Sequence, residues 1–242
     1  MFVTLHIALR EHAANLRSGF AHGLAAAHLA LSGTLWVHAL RANEGGALSP
    51  GALWVEAHAQ LLPVFAVFAT LRTFAAERAD GTLDALLASP APAGSIVLGK
   101  YLAPLALVLG TLALSAAGPL VLLPNIAPGL GAETSAAALL AGFAVLALQA
   151  ALWTALGVLL AVLLRSQALA AAAVLLLAVA LPHGLRFFDA PLLATLARPH
   201  IAALDAVHGV FSLFHPVCCA AFAAALLFTA ARVLDFHHYR TR

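Results

Sequence analysis

Polar residues are scarce in this chain, and those that could do chemistry fall in three places. The first is RTFAAERADGTLDALLASPAPAGSIVLGK, from Arg72 to Lys100, which carries Arg72, Glu77, Arg78, Asp80, Asp84 and the only lysine. Charges punctuated by Pro and Gly between two long apolar runs suit recognition of a soluble partner better than bond making. Glu77 and Arg78 offer a charged contact to such a partner or to the N-terminal helix; the competing reading is a solvated pair at a helix end. The second place is Glu56, His58 and Gln60, near the start of an apolar run. Ionisable residues inside a span mark pathways, so Glu56 and His58 are candidates to line an outer vestibule, unless the span begins after them. Gln149, one turn before Trp153, could bond across helices or face a substrate, with packing the favoured role. The third place is the set of twelve histidines. His28 and His38 lie about 280° apart around a helix, and no H-x-x-x-H pair or His/Cys cluster with ligand spacing occurs, which makes a haem-binding cytochrome a minor alternative.

These residues sit in a very apolar frame. Hydrophobic residues make up 63% of the 242 and charged residues 9%, with a mean hydropathy of +0.99. Soluble domains carry about 25% charged residues, which excludes a water-soluble globule. Apolar runs of roughly 20 residues cross about 30 Å of hydrocarbon as helix, and the alternating segments of a barrel are missing. The expected fold class is an all-α membrane protein. The net charge of +2 is spread by topology, without the basic patch that nucleic acid requires. Cys218 and Cys219 are adjacent in an apolar run and read as small buried hydrophobes.

Six spans account for the chain: Phe20–Leu40, Leu53–Phe74, Gly94–Leu123, Ser135–Leu164, Gln167–Leu181 and Phe211–Val233. Ser49-Pro50-Gly51 opens the second, and Ser95 is the expected cap of the third. Before the first span, residues 1–18 show no signal-peptide core. Phe2, Leu5, Leu9, Ala13 and Leu16 form one stripe, and His6, Arg10 and Arg17 another, as in an interfacial helix. With the N-terminus inside, nine basic residues face the cytoplasm (Arg10, Arg17, Arg72, Arg78, Lys100, Arg165, Arg232, Arg240, Arg242) against three outside. Both termini are therefore expected in the cytoplasm. The segment 182–210 is too charged to cross lipid and reads as an outer, partly re-entrant cap or a surface loop.

Within the cytoplasmic connector, Asp80 or Thr82 can cap a short helix, on which Leu83, Leu86 and Leu87 share one face. It ends before Ser89-Pro90. Two turns of helix are unstable alone in water, so this one needs the membrane surface or a partner groove.

The order Phe74, Glu77-Arg78, Gly81-Thr82-Leu83-Asp84, Leu86-Leu87, Ser89-Pro90, Ile96-Val97-Leu98-Gly99-Lys100-Tyr101 resembles the ABC-2 family of ATP-binding-cassette permeases. Their phrase runs close to F-x-x-E-[KR]-x-x-G-T-L-E-x-L-L-x-[ST]-P-x-x-x-x-x-[IL]-V-x-G-K, with Asp84 here in place of Glu. Within the family, the chain looks most like the gliding-motility and copper-enzyme-maturation type, whose phrase before the last span is similar to His200–Val210. The resemblance implies a single transmembrane permease domain over 1–242, with an elbow helix at 1–18, a coupling segment at 75–94 and the cap at 182–210. It implies that Glu77, Arg78, Asp80, Thr82, Leu83, Asp84, Leu86 and Leu87 dock a nucleotide-binding ATPase. ATP and Mg would sit on that separate subunit, because this chain lacks a G-x-x-x-x-G-K-[ST] phosphate loop. No catalytic residue, cofactor or metal is expected on the chain itself. Its partners would be the ATPase, a second identical or related permease, and membrane lipids, in a prokaryotic inner membrane. The alternative from a different class is a non-transport anchor or force-transmitting subunit of an extracytoplasmic machine.

Overall fold

The computed structural model describes residues 2–43, 48–122, 136–164, 166, 168–173, 176–177, 199–210 and 212–240. The helices are α1 (Phe2–Arg17), α2 (Gly19–Ala42), α3 (Pro50–Thr70), α4 (Ala75–Ala79), α5 (Leu83–Ala88) and α6 (Ala93–Ser115), which continues into a π-helical turn at Gly118–Leu122. Then come α7 (Ala136–Leu163), α8 (Pro199–Val207) and α9 (Phe214–Arg240). Among the described residues, five helices are long and apolar enough to cross a membrane: Gly19–Ala42, Pro50–Thr70, Ala93–Val121, Ala136–Leu163 and Phe214–Phe236. Of the fifth span expected from the sequence, Gln167–Leu181, only 168–173 and 176–177 are described, and they are helical; the rest of it and the 182–198 part of the cap fall outside the described residues.

The helix boundaries follow local chemistry. Ser49 is extended and its hydroxyl accepts from the Ala52 amide at 3.2 Å, with Pro50 in the first turn, as the sequence leads one to expect. The cap assigned to Ser95 is not there. α6 starts two residues earlier at Ala93, because Pro92 already supplies the extended, hydrogen-poor position before a helix. Thr82 stands at the start of α5 but makes no capping bond; its hydroxyl turns back toward the Glu77 carbonyl. Gly81, at φ 67°, makes the left-handed turn between α4 and α5 that other residues adopt only at a cost. Ser89 is extended before Pro90 and ends α5, its hydroxyl donating to the Leu86 carbonyl at 2.6 Å.

α3 and α7 form the core, buried along most of their length, while α2, α6 and α9 leave much of their apolar surface to the lipid. α3 and α7 pack against each other, with Gly157 of α7 facing Thr70 of α3 so closely that a Cβ would collide with the threonine hydroxyl. α8 lies across the far end of both, its Val207 against Gly142.

Helix direction shows in one apolar cluster and one cavity. Ala230 and Leu234, late in α9, pack with Val158 and Val162, late in α7, and with Ile7 of α1. His215 and Pro216, at the start of α9, share a cavity with Ala144 and Val145 near the start of α7. The two helices are therefore parallel, whereas neighbouring spans joined directly would be antiparallel.

Candidate functional site

One end of the bundle gathers α1, the end of α3, α4, α5, the start of α6 and the end of α7, and the charges of the Arg72–Lys100 segment collect there. Lys100 lies on the second turn of α6 and faces inward, its side chain fully enclosed. Its ammonium donates to Glu77 Oε1, to Glu11 Oε1 at 3.2 Å and to the Thr73 carbonyl at 2.7 Å. The three donors of an ammonium are thus matched by three acceptors. It also stands 5.2 Å from the ring centre of Phe74, which is itself wholly buried. Arg10 bonds Glu11 at 2.8 Å and approaches Glu77 at 3.8 Å, so two cations and two carboxylates close a neutral network. Three segments meet in it: α1 through Arg10 and Glu11, the connector through Thr73 and Glu77, and α6 through Lys100.

Arg78 does a different job. Its guanidinium donates to the carbonyls of Ala161, Val162 and Leu164, each at 2.8 Å. Those belong to the unsatisfied last turn of α7, where the helix dipole also favours a cation. Glu77 and Arg78 both make contacts within the chain, and that of Glu77 with Arg10 is a contact to the N-terminal helix. Leu83 and Leu86 are half-buried against the cluster of Phe74, Ile96 and Val162, so they anchor α5 to the permease. Asp80, Gly81, Thr82, Ala85 and Ala88 are the exposed positions of this hairpin. The side chains of Asp84 and Leu87 fall outside the described ones.

Tyr101, next to Lys100, also faces inward, and its hydroxyl donates to the Ala151 carbonyl at 3.3 Å. The network depends on residues the sequence did not single out together. Glu11 lies 89 positions before Lys100, and the only signal was the solitary lysine itself.

Of the three candidate pathway residues, Glu56 and His58 lie on α3 and Gln149 on α7. Glu56 is half-buried on the second turn of α3. His58 is buried at the α2–α3 seam, its Nδ1 2.8 Å from the Trp54 carbonyl and its ring edge-on to His28 at 5.4 Å. His28 in turn stacks on Phe65 at 4.2 Å. Gln149 is buried on α7. Among the described residues no three His, Cys, Asp or Glu side chains come together as a metal site.

A family model described as ABC-2 family transporter protein matches residues 8–230, nearly the whole chain. No curated protein matches it.

Proposed function

The chain belongs to the ABC-2 transporter family, and from that premise we propose that it is the membrane-spanning permease subunit of an ATP-driven, exporter-like complex. A permease of this family is a transport component, not itself a catalyst. In the proposed reading ATP and Mg sit on a separate nucleotide-binding subunit, which docks on α4 and α5. A second permease, identical or related, completes the pathway. Both termini and the charged end face the cytoplasm of a prokaryotic cell, α1 is the elbow helix, and α8 belongs to an outer cap. The parallel course of α7 and α9 supports a sixth crossing between them. The gliding-motility and copper-enzyme-maturation subtype is proposed from the resemblance of the Phe74–Tyr101 and His200–Val210 phrases.

One observation carries the coupling role: α5 is held from one side and open on the other. Leu83 and Leu86 fasten it to the permease, and Thr82, Ala85 and Ala88 are left outward. Small outward residues let a groove on a partner approach the helix backbone closely. Motion of the partner would pass from α5 through Glu77 and Lys100 into α1 and α6 together. The docking residues are then Asp80, Thr82 and Ala85, with Leu83 and Leu86 holding the helix in place.

The test is purification of the permease from its native membrane, followed by identification of any copurifying chain with a Walker phosphate loop. Ala85→Arg puts a large cation on the outward face without touching the leucine anchor. It should reduce recovery of the ATPase by about tenfold or more, the effect of roughly 1.4 kcal/mol at an interface, while the permease elutes as wild type. Full recovery with both Ala85→Arg and Thr82→Arg would refute docking through α5.

A further inference from the structure

Independently of transport, we propose that the cleft between α1, α2, α3 and α6 at the charged end binds an anionic phospholipid, with its phosphate on Arg72 and an acyl chain along α2. The cleft is an open cavity of about 140 Å³. Its lining is mixed: Glu11, Asn15, Ser18, Arg72 and Thr73 on the polar side, with Leu24, Pro104 and Leu107 further along the spans from these helix ends. Ser18 directly precedes α2 and Arg72 closely follows α3, so both lie where these two spans leave the hydrocarbon. That is the depth of lipid phosphates.

Arg72 is exposed and lightly engaged. Its guanidinium donates to the Ser18 hydroxyl at 3.4 Å and lies 5.4 Å from the centre of the Phe20 ring. A guanidinium has five donors in a planar fork that fits two phosphate oxygens at once. Glu11 also lines the cleft, but its Oε1 already accepts from Lys100 at 3.2 Å and from Arg10 at 2.8 Å, so its charge is matched within the protein.

The apolar half continues deeper. A second cavity, of about 90 Å³, shares Leu24 with the first and runs past His28 and Leu31, with Leu61 and Phe65 on the α3 side. From Phe20 to Leu31 an α-helix rises roughly 17 Å, close to half of the about 30 Å of hydrocarbon in a bilayer. A cation at the headgroup level above an apolar groove one leaflet deep matches a phospholipid. A free phosphate would engage Arg72 and leave the groove unused.

The full chain, purified in a mild non-ionic detergent, can be titrated by native mass spectrometry with phosphatidylglycerol, phosphatidylcholine and, as the headgroup alone, glycerol 1-phosphate. Wild type should bind phosphatidylglycerol about tenfold more tightly than phosphatidylcholine, a ratio equal to about 1.4 kcal/mol. Arg72→Ala should bring the two lipids to parity, and Arg72→Lys should restore part of the preference. Leu24→Trp, which fills the groove where the cavities meet, should weaken both lipids. Equal phosphatidylglycerol binding by wild type and Arg72→Ala overturns the proposal, as does displacement of the lipid by equimolar glycerol 1-phosphate. Arg72 is exposed and its removal leaves the core untouched, so this variant decides the matter even if Leu24→Trp melts early. No ATPase is needed for the measurement, and its outcome does not depend on coupling.

Discussion

Lys100 shows how one side chain can hold an end of a bundle together. An enclosed ammonium is stable only when carboxylates and carbonyls take every proton, and Glu11, Glu77 and Thr73 do so. Removing the cation alone leaves Glu11 and Glu77 with only the exposed Arg10 between them and the Thr73 carbonyl without its donor. Lys100→Met should therefore destabilise the protein by about 3–5 kcal/mol, as loss of one partner from a buried ion pair does. Unfolding in detergent titrated with a chaotrope reads this directly. Replacing both carboxylates in the Lys100→Met background (Glu11→Gln with Glu77→Gln) should recover much of the loss; a triple variant no better than the single would mean the network contributes little. Arg78 differs because its partners are backbone carbonyls at the end of α7, which no second mutation can remove.

At the scale of elements, α1 is not a free surface helix. Its Ile7 and Ala8 pack inward, and a Cβ on Gly99 would lie 2.7 Å from Ile7 Cγ2, so α1 and α6 meet almost backbone to backbone. The stripe of Phe2, Leu5, Leu9 and Leu16 faces outward, suited to the boundary of lipid headgroups and chains. Gly99→Leu should lever α1 away from α6 and break the Lys100–Glu11 contact. The expected sign is faster proteolysis at the exposed residues Arg10 and Arg17, with the remaining helices protected; an unchanged cleavage rate would show that α1 adapts. The sequence pattern identified α1 and its apolar stripe correctly as helix, but a stripe says nothing about which other face meets a protein neighbour. For α5 the same ambiguity ran the other way. Leu83, Leu86 and Leu87 on one face read as a docking face, and of these Leu83 and Leu86 pack on the cluster of Phe74, Ile96 and Val162 in the chain itself.

At the scale of the whole molecule, one end of the bundle carries Arg10, Arg72, Arg78 and Lys100 together with Glu11 and Glu77, and this excess of basic residues is the reason we propose that this end faces the cytoplasm. A variant with Cys218 and Cys219 replaced by alanine permits a direct check. Ala85→Cys in that background should react with a membrane-impermeant maleimide only in inside-out vesicles, and Ala202→Cys, half-buried on α8, should be slower overall but react from the other side; the reverse pattern would invert the topology. Membrane class, helical spans and the family-bearing phrase were legible in the sequence alone, because hydropathy and turn residues act locally. Ser49 could be read as a cap, and Phe74–Tyr101 as a recognisable phrase, without knowing what lay beside them. The partners of Lys100, the capping of α7 by Arg78 and the cleft beneath Arg72 could not be so read. Each joins residues tens of positions apart, from Lys100 and Glu11 to Arg72 and Ser18, and only the packing of α1, α3, α6 and α7 brings them within bonding distance. A linear pattern can state that a charge is unusual in an oily chain; its partner is decided by which helices touch.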